Sequence, residues 1–378
     1  MSTRSEWRDR TCVVFSLFFW GVVAGSAAAK DRMVEPMPGA LSAVLNSGSV
    51  SGGDRLILEG GRHGAVILSG VRFVDPVTIV AQSGSEVFFD RILLKNTSGL
   101  VFSGVTVMPT VGSGETSALI ETKRSHDIVF ERMEVASARS AKGWSPEDWV
   151  LRARTGFRLF GQDITVRNSV IRIVDHGVSS AADGAIIEGN EITYFRGDGI
   201  RALGDNSRYV GNLIETCVGV DSNHDDGIQS WSVDAAGKPG RGVVKNVLVA
   251  KNVIRNGVLG GELACSLQGI GLFDGMFEDW IIRDNVVIVD HWHGITVMGG
   301  NRVRVENNVV VDSRDGSPGP PWITVTSHRD GRISRQSLIA GNVTQPRAGG
   351  GDPVFWQPQP GVVSRGNKVV QRAGDAFR

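Results

Sequence analysis

Seven stretches of this chain carry one pattern: ITVRNSVI (164–171), AIIEGNEI (185–192), SRYVGNLI (207–214), VLVAKNVI (247–254), WIIRDNVV (280–287), VRVENNVV (303–310) and SLIAGNVT (337–344). Each runs through alternating apolar residues to a polar residue, an asparagine and more apolar residues. The aligned asparagines are Asn168, Asn190, Asn212, Asn252, Asn285, Asn308 and Asn342, spaced 22, 22, 40, 33, 23 and 34 apart. A minimum near 22 with larger insertions marks a stacked solenoid whose coil holds three short strands and their turns. Abundant Val and Ile at alternating positions argue strands over helices.

A second anchor follows each asparagine: Gly177-Val178, Gly199-Ile200, Gly227-Ile228, Gly269-Ile270, Gly294-Ile295 and Trp322-Ile323. The offsets from Asn to anchor are 9, 9, 15, 17, 9 and 14, so insertions collect at one corner of the coil. Per-repeat insertions of this kind usually lie on the binding face. The asparagines read as structural, their amides bonding from coil to coil in a ladder.

Composition agrees with a folded, turn-rich chain. Glycine supplies 49 of 378 residues, against about 7% in average proteins. Forty basic and 40 acidic side chains balance, and no basic block offers a nucleic-acid footprint. Hydrophobic content of 41% excludes wholesale disorder. At the amino terminus Arg4, Arg8 and Arg10 precede an apolar run from Cys12 to Gly25 and then Ala27-Ala28-Ala29. That order predicts a signal peptide over 1–29, since the run falls short of the about 20 residues of a spanning helix. We therefore expect a secreted or periplasmic monomer, with no membrane anchor after cleavage and one domain over 30–378. Cys217 and Cys265 then remain, and a disulfide and two free thiols are both open.

The repeat resembles the right-handed parallel β-helix of the pectate-lyase-like superfamily over roughly residues 54–345, which implies an all-β solenoid. The opening adds detail: GALSAVLNSGSVSGGDRLILEGG (39–61) reads as a capping helix and a Gly-Asp turn into the first strand. PVTIVAQSGSEVFFD (76–90) and SGLVFSGVTV (98–107) continue the coil. This entry is similar to that of alginate-lyase and chondroitinase-B-like polysaccharide lyases. The segment after 346 reads as a partial coil with a loop cap.

Alternation within the Gly-Ile strand turns Val178, Ile200, Ile228, Ile270, Ile295 and Ile323 inward, and Ser179, Arg201, Gln229, Gly271, Thr296 and Thr324 outward. The residues before each glycine, His176, Asp198, Asp226, Gln268 and His293, should form a polar strip flanked by Arg201 and Gln229. The sharpest local feature is Asp221-Ser-Asn-His224-Asp225-Asp226-Gly-Ile-Gln229-Ser-Trp231. Like charges one strand apart raise one another's pKa or recruit a cation, so Asp221, Asp225 and Asp226 are candidates for calcium. Asp290-His291-Trp292-His293-Gly294 forms a second cluster, with no cysteine or histidine in register to complete a zinc site. Trp231, Trp292 and Trp322 lie near the same corner and could stack on sugar rings. The excursion 139–156 and the PGPPW run at 318–322 would wall the groove.

A long polar groove on a rigid solenoid suits a polymer. Elimination from a polyuronate needs a neutralised carboxylate, a base at C5 and a proton for the leaving oxygen. The resemblance implies that Arg201 stands where such lyases carry a catalytic arginine; their His-Gly after it is here Ala202-Leu203. Their catalytic lysine has no counterpart, because no lysine occurs between Lys142 and Lys238. We therefore expect His224 as base and Arg201 against the substrate carboxylate, with Asp225 and Asp226 holding calcium or orienting His224. Asp198 and His293 complete the catalytic candidates, and Gln229, Trp231, Trp292 and His176 the substrate-binding ones. Tyr209 reads as core and Tyr194 as turn, and no epimerase-like Asp-Pro-His-Glu occurs. The alternatives are a glycoside hydrolase pairing Asp198 with Asp226 or with Asp225, and a carbohydrate-binding solenoid without turnover.

Overall fold

The computed structural model describes residues 29–110, 117–257, 259–313, 318–346, 354 and 359–377. The segment expected to act as a signal peptide therefore lies, but for Ala29, outside the described residues. Among the described residues no helix is long and apolar enough to cross a membrane.

The chain winds into a parallel β-helix. Among the described residues strands stack in ladders of 21, 12 and 3 members, and all named strand pairs are parallel. Three inward columns build the core. One runs Phe157, Val178, Ile200, Ile228, Ile270, Ile295, Ile323. The second runs Val166, Ile187, Tyr209, Val249, Ile282, Val305, Ile339. The third passes from Ile171 through Ile192, Ile214, Ile254 and Val287 to Val310. Every residue of the three is fully buried. A β-branched side chain on a like neighbour packs well at parallel-strand spacing, which is why the sequence favours Val and Ile there.

The helix Ala40–Asn46 lays Leu41 and Leu45 over the open end of this core, as expected. A strand ahead of it, Asp31–Val34, pairs with Arg55–Leu58 and adds an edge that sequence reasoning did not find.

The asparagine ladder is present, with one change of register. Nδ2 of Asn190 donates to Oδ1 of Asn212 at 3.0 Å, and the chain continues through Asn252, Asn285, Asn308 and Asn342 to Asn367 at 2.9–3.0 Å per step. The second amide hydrogen goes to a carbonyl of a preceding coil, Tyr209 O in the case of Asn252. Asn168 is not in the ladder. It sits at φ 51° in the left-handed turn position that Gly189, Gly211, Lys251, Asp284, Asn307 and Gly341 occupy in the other coils. Ser169 takes the ladder place, its N–H donating to Asn190 Oδ1 at 3.1 Å. Asparagine tolerates the left-handed region, so at this coil the residue type fits either position.

The Gly-Ile anchors owe their glycine to crowding. A Cβ on Gly199 would lie 2.7 Å from Gly227 O, and one on Gly269 would lie 2.1 Å from Gly294 O. Backbone stacks on backbone there, at the corner where the coil turns into the next anchor strand.

Removing a ladder member leaves buried partners unpaired, at about 1–3 kcal/mol for each orphaned group. Asn252→Leu strands the Asn212 amide and Tyr209 O, so chemical denaturation should show it less stable by about 2–5 kcal/mol. An exposed change such as Lys251→Gln should leave the midpoint nearly unmoved.

Candidate functional site

The site is built on the anchor strands Ile200–Ala202, Asp225–Trp231, Leu267–Asp274, His293–Met298 and Trp322–Thr326. At three corners the residue before the glycine reaches the outward residue three positions on. Asp198 Oδ2 accepts from Arg201 Nε at 2.6 Å, Asp226 Oδ2 accepts from Gln229 Nε2 at 2.9 Å, and His293 Nδ1 lies 2.9 Å from Thr296 Oγ1. The corner residues are also joined along the axis: Asp198 N–H donates to His176 Nδ1 at 2.8 Å and Asp226 N–H to Asp198 Oδ1 at 3.1 Å.

The strip expected along the surface is therefore mostly sunk. Asp198 and Asp226 are 1% and 0% exposed, because the insertions close over the corner. The excursion 139–156 forms the helix Pro146–Arg152, capped by reciprocal bonds between Ser145 and Asp148. Its Trp149 packs with Ala153, Ile173 and Val218 against Val220, Leu259 and Leu263 of the neighbouring insertions. A disulfide between Cys217 and Cys265, which the sequence left open, ties two of those insertions together.

His224 remains accessible, its side chain 52% exposed. Its Nδ1 lies 2.9 Å from Asp226 Oδ2, and among the described residues Nε2 has no hydrogen bond. The bond to Asp226 raises the imidazole pKa against partial burial, helped by the charges of Asp226, Asp198 and Asp274. Burial raises the Asp226 carboxyl well above the usual carboxylate range; the His224 bond opposes this and the Asp198 charge adds to it. With both pKa values moved up, the pair binds a proton more readily than either group would in water. Asp226 Oδ1 is buried without a partner among the described residues. It fits because position 271 is glycine: a Cβ there would lie 2.6 Å from Oδ1 and 2.2 Å from the Phe273 ring.

Beside this dyad, Arg201 lies over the Trp231 ring at 5.1 Å, with Asp198 holding its Nε. Among the described residues its terminal nitrogens make no hydrogen bond, so they are available to a ligand. Phe273 carries the site onward, edge to face with His224 at 6.0 Å and with His293 at 5.1 Å. Trp322 meets His293 at 5.2 Å, donates through Nε1 to Thr296 Oγ1 at 3.1 Å, and stacks with the half-exposed Trp292 at 6.2 Å. Burial depresses His291 and His293 to about 4, with neighbouring histidines adding, so both rings are neutral at pH 7. Phe273 and Thr296 are the members sequence reasoning missed as functional; the in-register Gly271, with no side chain of its own, was the available signal.

Three candidates stand elsewhere. Asp225 faces inward, its Oδ2 3.0 Å from Cys265 Sγ. A bridged sulfur carries no hydrogen, so the proton of that contact belongs to Asp225. Burial pushes its carboxyl up to about 9, with the charges of Asp198, Asp221 and Asp226 contributing. Asp221 is half exposed on the insertion, its Oδ1 accepting from Asn223 N–H. His176 is largely buried and neutral, serving Asp198 N–H as an acceptor. Among the described residues the carboxylate oxygens of Asp221, Asp225 and Asp226, the trio named for calcium, do not gather within 4.8 Å of one another. The group that does gather, Cys217, Asp225 and Cys265, has both sulfurs in the disulfide.

A family model described as the right handed beta helix region matches residues 155–318. The A-modules of two Azotobacter vinelandii mannuronan C-5 epimerases, AlgE4 and AlgE6, superpose with TM-scores of 0.61 and 0.59 at 14% and 13% identity. They share 88% of this chain and 90% and 94% of their own. The Dettilon tailspike protein gives a TM-score of 0.51 at 14% identity, over 89% of this chain and 68% of its own. No curated protein matches the chain. At these identities the likeness is one of fold, the right-handed parallel β-helix expected from the repeat.

Asp225 carries a pH signature. A carboxyl whose pKa rises from 3.8 to about 9 on folding binds its proton more tightly in the folded state. Its contribution to stability is full below about pH 4 and declines up to about pH 9, by at most about 1.4 kcal/mol per unit. Unfolding free energy of Asp225→Asn should fall less steeply than wild type between pH 5 and 9. Parallel profiles would place the titration elsewhere.

Proposed function

We propose that this chain is an exported enzyme that cleaves a uronate-containing polysaccharide by β-elimination, with His224 as base and Arg201 against the substrate carboxylate. The observation that carries this is the His224–Asp226 dyad, whose Nε2 opens onto the groove beside the Arg201–Trp231 stack. Trp231 offers a face for a sugar ring, and the arginine above it offers N–H groups for that ring's carboxylate.

The step balances within these residues. Arg201 neutralises the carboxylate, which lowers the cost of charge developing at C5. His224 Nε2 takes the C5 proton, the C5–H electron pair forms the C4–C5 double bond, and the C4–O4 bond breaks. The imidazolium returns its proton to O4 of the departing chain. Asp226 holds the tautomer with Nδ1 protonated and stabilises the imidazolium. A paired-Asp hydrolase has less support, because Asp198 already accepts from Asp226 N–H and Arg201 Nε. The Cys217–Cys265 disulfide and the amino-terminal pattern support export.

His224→Ala should lower kcat on polyuronates by about 10²–10⁴, read from ultraviolet absorbance of the unsaturated product. Arg201→Ala should lower it by about 10²–10³. Cleavage with undiminished absorbance growth in both variants would remove these residues from the chemistry. Deuterium entering C5 without chain cleavage would turn the same proton abstraction into epimerisation. Since the base must be neutral, activity should rise with pH along a limb above 6.5, and Asp226→Asn should move that limb to lower pH.

A further inference from the structure

Beyond the far end of the same anchor strands lies a second concavity, of about 470 Å³, lined by Gly240, Arg241, His328, Arg329, Asp330 and Arg332. Two loops build it. One is a hairpin in which Val233 pairs antiparallel with Pro239, leaving the strand that ends at Trp231. The other turns through His328–Arg332 after the strand that ends at Thr326, closed by His328 N–H to Arg332 O. Those strands are three steps apart in the ladder, so the cavity bridges about 14 Å along the helix axis.

Three arginines meet two carboxylates at this wall. Asp330 accepts from Arg332 Nε at 2.8 Å and lies 2.8 Å from His328 Nδ1. Arg329 reaches out to Asp274 at 2.6 Å, and Arg332 also bonds Gly240 O, tying the loops together. Arg241 makes no ion pair or side-chain hydrogen bond among the described residues. The second feature is His328 itself. It is 5% exposed, and among the described residues its Nε2 has no partner. His328 Nδ1 accepts from Arg332 Nη2 at 3.2 Å, which leaves the ring N–H on Nε2, and a buried N–H without a partner beside the unpaired Arg241 is a donor set lacking its oxyanion.

We propose that this cavity is a second anion site, taking a carboxylate or sulfate group of the same acidic polysaccharide that the groove binds, and in that sense it rests on the function proposed above. Asp274, which anchors Arg329, is one of the charges acting on His224, so cavity and dyad share a neighbour. A chain seated over His224 and Trp231 follows the strand Asp225–Trp231 toward the cavity beyond its end, and its acidic groups supply the missing oxygens.

Arg241→Ala tests this without disturbing the fold, since that side chain is exposed and unpaired. The intact chain and the variant are titrated calorimetrically with a hexauronate, with the same oligomer reduced to neutral alcohols, and with inorganic sulfate. We expect the variant to bind the hexauronate about tenfold more weakly, to bind the neutral oligomer unchanged, and to lose sulfate binding. On polymer its KM should rise while kcat holds. Equal hexauronate affinity in both proteins overturns the proposal, including the case in which only sulfate distinguishes them. Arg241-dependent hexauronate binding without turnover would keep the cavity and discard the elimination. Turnover abolished by His224→Ala, with hexauronate binding indifferent to Arg241, would do the reverse.

Discussion

Each coil of this molecule lies on the next at the hydrogen-bonding distance of parallel strands, so every side chain has as its nearest neighbour the one at the same place a coil away. What that spacing does depends on chemistry. Valine on isoleucine packs, and asparagine on asparagine closes a ladder in which each amide is both donor and acceptor. Glycine on glycine lets backbones touch at the corner. Carboxylate near carboxylate, as at Asp198 and Asp226, is costly unless each has its own partner. Arg201 pairs the first and the His224 imidazole bonds the second. The reactive character of the site is thus a consequence of the same stacking that stabilises the rest.

The columns explain how much could be read from sequence. The Gly-Ile and Asn positions repeat in every coil, so the inward and outward sides of the anchor strands follow by alternation, and Arg201, Gln229 and Thr296 point outward in register as expected. The slip at Asn168 arose where two neighbouring positions accept the same residue type, and serine stood in for the ladder amide. Burial of Asp198 and Asp226 was not legible, because it depends on insertions that have no repeat and whose paths the spacing does not constrain. The same insertions hide the Cys217–Cys265 bridge and turn Asp225 toward it, away from its neighbours in sequence.

Asp225 and Asp226 illustrate the point most sharply. They are adjacent, of the same residue type and both buried, yet alternation sends one to a disulfide inside the corner and the other to a histidine at the surface. Only the second touches a group that solvent and a ligand can reach. Aromatic rings follow one another from Trp231 past Phe273 to Trp322 and Trp292 across successive coils.

The central claim is that Asp226 makes His224 a base with an open Nε2. Nitrogen-15 resonances of the His224 ring, followed through a pH titration of wild type and Asp226→Asn, address it directly. A neutral ring protonated at Nδ1, with a pKa above 6.5 in wild type that drops in the variant, is the predicted result. A ring protonated at Nε2, or a pKa at or below 6.5 that ignores the substitution, would contradict it.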